Sequence, residues 1–456
     1  MKRWILRILL GIVFLLLAAL VGGYFYMLPT FKVATGYTAK VICSNHFLTG
    51  QSVDTAMSEL PDNPLVPFLR VKLDEEKGEL SATLWGWAAK QKAIYRPGLG
   101  CTLMAGKGPF EARSPHLPSH APADPAQLWP AGDAVDIKPH PALEAVLDDA
   151  FSEPDPANPR RTRAIVVVKD GDILAERYAD GYGEDTPFLG WSMTKSVTHA
   201  LLGILVGQGK LDIMAPAPVP EWASPDDPRH AITTDQLMRM SSGLAFNEDY
   251  GDLTTGVTQM LYNASDMAAY AASMPLAAPP DTVWSYSSGA ANILSRIMRD
   301  LVGGDVTDYW AFPQTELFHA IGVTSAVMEP DASGTLVGSS YMYATARDWA
   351  RFGLLYLNDG VWEGQRILPE GWVDYARTPT PPSQGEYGAL WWLNRGSGES
   401  KEWVDVPDDA YAAEGHDGQY VVIIPSRNMV IVRLGVSRHG AWDEAAFLRA
   451  VLAALE

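Results

Sequence analysis

Phe188-Leu-Gly-Trp-Ser-Met-Thr-Lys-Ser-Val-Thr-His-Ala-Leu-Leu-Gly-Ile-Leu-Val-Gly-Gln-Gly-Lys-Leu-Asp212 decides how the rest of this chain is read. Val197, Leu201, Ile204 and Leu205 recur at helical spacing and would bury a helix that starts near Ser192. Serine commonly caps a helix start, so Ser192 alone is unremarkable. Lys195 lies three residues on, and positions i and i+3 share a helical face, so its amine can reach the Ser192 hydroxyl. The apolar residues that bury the helix bury Lys195 too. A buried amine needs either a carboxylate partner or a chemical task.

The chain sets bounds on that task. Its 456 residues suffice for two or three domains and a large core. The 54 acidic and 35 basic residues give a net charge of −19, which argues against a nucleic-acid partner. Lys2, Arg3 and Arg7 precede a charge-free run from Ile8 to Met27. Twenty residues at about 1.5 Å each give roughly 30 Å, enough to cross a bilayer core. The basic flank predicts the N-terminus in the cytoplasm and a single pass, with the rest of the chain facing the periplasm or exterior. A cleaved signal peptide is the alternative, but the run is long for one and no small-x-small site precedes Tyr24-Phe25-Tyr26. Cys43 and Cys101 are the only cysteines. In an exported chain they read most simply as a disulfide, with two separate buried thiols as the alternative. With only His46 close by in sequence they make a poor metal site.

The pattern predicts an anchor over residues 1–28, a small accessory region over 29–110, a Pro/Ala-rich connector over 111–138 and a main domain over 139–456. Within the accessory region, Tyr37–Cys43 and Leu80–Trp87 alternate like strands. Ala142–Phe151 and Asp443–Leu455 read as helices. Ala164–Tyr178 reads as a hairpin around an Asp-Gly turn, and Tyr420–Leu434 as a second one. Between these hairpins lies a long, mostly helical insertion, from Ser192 to about Thr380. The expected architecture is α/β (α+β): an antiparallel sheet completed by both ends of the domain, flanked by helices, with an inserted helical subdomain.

Two further stretches give the Ser192–Lys195 pair its context. Trp284-Ser-Tyr-Ser-Ser-Gly-Ala-Ala-Asn292 places a tyrosine in a polar loop before a helix, and Glu414-Gly-His-Asp-Gly-Gln-Tyr420 leads into the second hairpin. In this order the three elements resemble the Ser-x-x-Lys, Tyr-x-Asn and Lys-Thr-Gly boxes of the serine β-lactamase and penicillin-binding protein superfamily. Leu237–Leu244, Asn247–Asp252, Gly338–Gly353 and Tyr387–Trp392 are similar to the class C β-lactamase-like branch, which includes 6-aminohexanoate-dimer hydrolases and related esterases. The resemblance spans about residues 139–456 and implies a β-lactamase/transpeptidase-like fold.

It also implies roles. Ser192 would be the nucleophile, Lys195 its base, and Tyr286 a phenolate or proton relay beside them. The backbone amides of Ser192 and Gln419 would form the oxyanion hole. Tyr250, Ser288, His416, Gly418 and Trp392 would contact substrate, with Gly418 letting it lie against the strand edge. Trp391 would wall the cleft or lie in the core, while His199 and His319 read as structural. The third box lacks its lysine and the second carries Ser288 in place of Asn, which favours esters or small linear amides over lactams. The implied activity is a serine hydrolase working through an acyl-enzyme without cofactor or metal. The alternatives are a D-amino-acid peptidase or β-lactamase of the same fold, or a non-catalytic binder of cell-wall peptides.

Overall fold

The computed structural model describes residues 2–106, 117–118, 126–396, 398, 401–438 and 440–456. It opens with one continuous helix, α1 (Lys2–Ser44). The first turns are exposed on all sides, and the helix is long and apolar enough to cross a membrane, with a window of mean hydropathy 2.8. Pro29 removes one intrahelical hydrogen bond without ending the helix. From Val33 onward the character changes: Thr35, Thr38, Ala39, Lys40, Ile42, Cys43 and Ser44 are all buried. Tyr37–Cys43, expected as a strand, is therefore the last two turns of α1, and the boundary expected at residue 28 falls inside the helix. The strand-favouring Thr38, Val41 and Ile42 each disfavour helix by only tenths of a kcal/mol, and burial on both flanks outweighs that.

α1 packs on an antiparallel sheet of four consecutive strands: β1 (Leu69–Asp74), β2 (Glu79–Leu84), β3 (Ala88–Arg96) and β4 (Gly100–Leu103). The Cys43–Cys101 disulfide ties the helix to β4. One turn earlier Lys40 forms a buried ion pair with Glu329 of the main domain. That carboxylate also accepts from Ser44 Oγ (2.8 Å) and from the Cys101 N–H (2.5 Å). Helix, accessory sheet and main domain therefore meet at one buried carboxylate.

The main sheet has six strands: β5 (Thr162–Lys169), β6 (Asp172–Tyr178), β7 (Trp392–Leu393), β8 (Tyr411–Gly415), β9 (Gln419–Ile424) and β10 (Met429–Gly435). Their order is β7-β8-β9-β10-β5-β6, antiparallel throughout, so both ends of the domain complete one sheet. Side chains alternate between its faces. Val166, Val168, Val430 and Val432 join the core of the helical part, while Ile165, Val167 and Ile431 pack with the Pro141–Ala150 and Glu444–Ala454 helices. The inserted part contains α2 (Met193–Gly207), α3 (Ser288–Val302) and α4 (Ala346–Leu357), with α4 against the sheet. It also holds a small three-stranded sheet of Phe188–Leu189, Val327–Met328 and Met342–Ala344, which the helical reading of this stretch had not included. Residues 111–116 and 119–125 of the expected connector lie outside the described residues. Its last part packs down, with Arg351 bonding to Pro130 O (2.9 Å), Gly132 O (2.7 Å) and Asp133 (2.7 Å).

Candidate active site

Ser192 sits at a forced turn. Trp191 adopts φ 48°, a left-handed conformation that costs a bulky residue energy and is kept only where the surroundings hold it. α2 starts immediately after, and Met193 to Leu205 are all buried. Lys195, 1% exposed, thus enters the interior on the first turn of a fully enclosed helix.

Its amine lies 2.9 Å from Ser192 Oγ, 3.0 Å from Ser288 Oγ and 2.9 Å from the Ser339 carbonyl. The proton inventory is decisive. Ser288 gives its own hydroxyl proton to Glu248, so toward Lys195 it can only accept. The Ser339 carbonyl can also only accept. A neutral lysine has two N–H bonds, and these two acceptors use both. The ammonium donates to Ser192 Oγ as well; once it has lost that proton it can keep the other two bonds and turn its lone pair to the Ser192 hydroxyl, as a general base requires. Burial lowers the Lys195 pKa to about 8, against a smaller opposing pull from Glu248. Ser288, expected to touch substrate, is instead buried at the start of α3 and bonded to these two residues. Glu248 was not singled out from the sequence. It also accepts from the Ser288 N–H at 2.8 Å, and nothing in Asn247-Glu-Asp-Tyr-Gly-Asp252 marks it above its acidic neighbours.

The Tyr286 ring centroid lies 4.7 Å from Lys195 Nζ, and Ser192 is among the groups that influence its hydroxyl. Burial of the hydroxyl end, helped by Glu248, pushes its pKa up, so it stays a neutral phenol. That favours a proton relay over a phenolate base. Trp392 stacks on the ring (5.3 Å, 27°), and Tyr387 meets it edge-on at 5.8 Å. Trp391 points the other way into the core, stacked on Phe352 and tilted on Tyr356. His199 is likewise a core residue, 2.7 Å from the Tyr356 hydroxyl, with its pKa lowered to about 3 by burial. His319 closes a short turn far along the chain.

The third box turns between β8 and β9. Gly418 has φ 81°, and an added Cβ would meet Arg433 Nη1 at 2.6 Å, so this glycine serves the turn and Arg433 rather than a strand-edge substrate. Gly415 abuts the turn that leads into Ser192, and a Cβ there would lie 2.1 Å from the Gly190 carbonyl. Gln419 pairs with Gly415 at the head of β9 and clamps β10 through Gly435, donating at 2.5 Å and accepting at 2.9 Å. Among the described residues the Ser192 and His416 N–H groups have no protein acceptor. His416 stands edge-on to Trp191 (5.8 Å) and stacks on Tyr250 (5.4 Å, 23°). The Tyr250 hydroxyl is 3.4 Å from Glu248. Asp417 faces both His416 (3.3 Å) and Arg438 (3.4 Å). Trp191, Tyr250, His416 and Asp417 also wall a cavity of about 500 Å³ whose other side belongs to α1 and residues 60–69.

The Beta-lactamase family model matches residues 147–456. A 6-aminohexanoate-dimer hydrolase of Paenarthrobacter ureafaciens is 25% identical over 343 residues, covering 69% of this chain and 79% of the relative. A solved structure from Bacillus anthracis, provisionally assigned as a 6-aminohexanoate-dimer hydrolase, superposes with TM-score 0.54 at 24% identity, covering 77% of this chain and 88% of its own. A penicillin-binding protein homologue from Caulobacter crescentus gives TM-score 0.54 at 16% identity, over 71% of this chain and all of its own.

Proposed function

The chain belongs to the beta-lactamase family, and from that premise we propose that it is a serine hydrolase acting through an acyl-enzyme on Ser192. The observation that carries the reading is the buried Lys195 amine held 2.9 Å from Ser192 Oγ, with Ser288 Oγ and the Ser339 carbonyl as its other acceptors. Lys195 takes the hydroxyl proton as Ser192 Oγ bonds to the substrate carbonyl carbon. The oxygen's developing charge meets backbone amides. Gln419, the expected second donor, heads a paired strand, so the unpaired N–H groups of Ser192 and His416 suit the task better. The carbonyl-to-leaving-group bond then breaks, and Tyr286 passes the proton on to the departing oxygen or nitrogen. Water attacks the acyl-enzyme by the same route in reverse and frees Ser192.

Esters and small linear amides are the proposed substrates. Arg438, the cation near the third box, is committed to Asp417 and to the Glu59 carbonyl (2.6 Å), which leaves little to hold a lactam or peptide carboxylate. A fluorophosphonate probe should label Ser192, and Ser192→Ala should lose both label and hydrolysis while keeping its melting temperature. An acyl adduct on another residue, or a cephalosporin preferred over esters by about tenfold, overturns the assignment.

We also propose that the N-terminal turns of α1 anchor the protein in the cytoplasmic membrane, with the catalytic domain on the far side. In support, the helix runs unbroken from the apolar run into the fold, and Tyr24 stacks on Trp87 (6.0 Å). N-terminal sequencing of the membrane-extracted protein should read from the first residues. A start in the twenties would contradict it.

A further inference from the structure

The cavity that reaches Trp191, the residue before Ser192, has an unusual wall. Val33 and Ala34 of α1 line it together with Leu60, Leu65 and Val66, and Leu253 joins them from the main domain. Helix α1 is the same element whose earlier turns are exposed and apolar. At about 1.5 Å per residue, Val33 lies only about 9 Å beyond the end of the apolar run at Met27. That distance is comparable to the headgroup layer of a bilayer leaflet.

Aromatic side chains mark the same level. Trp85 and Trp87 are 44% and 70% exposed, and Phe68 is 46% exposed. Trp87 stacks on Tyr24 of α1, Trp85 meets Phe31 edge-on at 5.6 Å, and Phe68 lies against Trp85 at 6.2 Å. Exposed Trp and Tyr clustered where an apolar span ends are the pattern of side chains seated among lipid headgroups. Phe68 belongs to this cluster, and its neighbour Leu69 lines the cavity. The aromatic belt and the chamber wall are thus carried by one segment.

We propose that this chamber receives the apolar chain of an amphiphilic ester or amide drawn from the membrane, while its carbonyl is presented to Ser192. The inference rests on the hydrolase reading above and narrows its substrate class. Three features favour an acyl or alkyl chain over a compact polar substrate. The far wall is mostly aliphatic, with Thr38, Asp62 and Asn63 as its polar members, the charged groups Asp417 and Arg438 stand with His416 on the main-domain side, and the enclosing helix continues into the exposed apolar run. A membrane-held enzyme whose cleft is walled by its own anchor helix meets such molecules at high local concentration.

The test is a chain-length series of p-nitrophenyl esters, acetate to octanoate, hydrolysed by the full-length protein in phosphatidylethanolamine/phosphatidylglycerol nanodiscs. Each methylene buried contributes about 0.8 kcal/mol, close to fourfold in kcat/KM. Octanoate should therefore exceed butyrate by tenfold or more. Ala34→Trp, and separately Val33→Phe, should lower the octanoate-to-butyrate ratio by about tenfold. A flat profile in the native protein overturns the inference, whatever the variants do, and so does a variant that lowers both esters equally. Fluorophosphonate labelling separates the two readings. Labelled Ser192 with a flat profile sinks the chamber alone, whereas absent labelling sinks the hydrolase reading and this inference with it.

Discussion

Lys40 and Lys195 are buried alike, at 2% and 1% exposure, and differ in their company. Lys40 faces the Glu329 carboxylate and the Ser44 hydroxyl (2.9 Å). Lys195 faces two serine hydroxyls and a carbonyl, with no carboxylate in contact. Burial lowers the pKa of both amines, and it raises that of Glu329. At Lys40 the carboxylate's attraction and hydrogen bond work against that, and the pair ties α1 to the main domain. At Lys195 only the more distant Glu248 opposes burial, and the lowered amine suits the proposed role of base. Burial supplies the shift in both places, and the partner decides whether it becomes structure or chemistry.

Removing each amine should therefore give opposite signatures. Lys195→Met should lower kcat/KM by roughly 10²- to 10⁴-fold, with a smaller effect on stability because only neutral partners lose a bond. Lys40→Met leaves Glu329 buried without its cation and should cost about 3–5 kcal/mol, with turnover per folded molecule retained. Lys40→Met combined with Glu329→Gln should recover part of that loss. Melting curves and kinetics on the same preparations decide it. Equal stability losses at both sites would break the comparison.

Tyr286→Phe sharpens the chemical side. If Tyr286 relays a proton, its loss should lower kcat by about 10²-fold or more and should not add to Lys195→Met, since the two act as one unit. Full additivity in the double variant would show two independent roles.

The contrast between the lysines also explains what was legible. Ser192, Lys195 and Tyr286 could be found because each lies in a short local pattern, and the two hairpins because alternation and an Asp-Gly turn are local signals. The later part of α1 could not. It is buried on nearly all sides, so it lacks the amphipathic stripe that marks a surface helix, and Thr38, Val41 and Ile42 imitate a strand. Ser288 looked like a substrate contact, because its bond to Glu248 joins positions 40 residues apart. Gly415 was passed over for Gly418, since only the fold shows which glycine abuts the nucleophile's turn. Nothing in the sequence indicated that α1 would line the cavity that reaches Trp191.

Glu248 offers the finest test, because it stands between the two cases: a carboxylate near Lys195 but separated from it by Ser288. Its charge pulls the Lys195 pKa up against the burial that lowers it to about 8. Protonated Lys195 cannot accept the Ser192 proton, so kcat/KM should fall as pH drops through about 8. Glu248→Gln keeps one carbonyl oxygen, enough for the Ser288 hydroxyl or its N–H but not both in their present places, and removes the charge. The ammonium then loses the nearby negative charge that favours it, the pKa of Lys195 drops, and the acidic limb moves to lower pH. Activity on the high-pH plateau should change by less than about tenfold, 1.4 kcal/mol. A pH profile of ester hydrolysis for the native protein and Glu248→Gln reads the shift directly. A limb that stays in place would mean that Lys195 is indifferent to the carboxylate. A limb that moves upward would mean that Glu248 holds Ser288 as an acceptor, and that losing this order matters more than losing the charge.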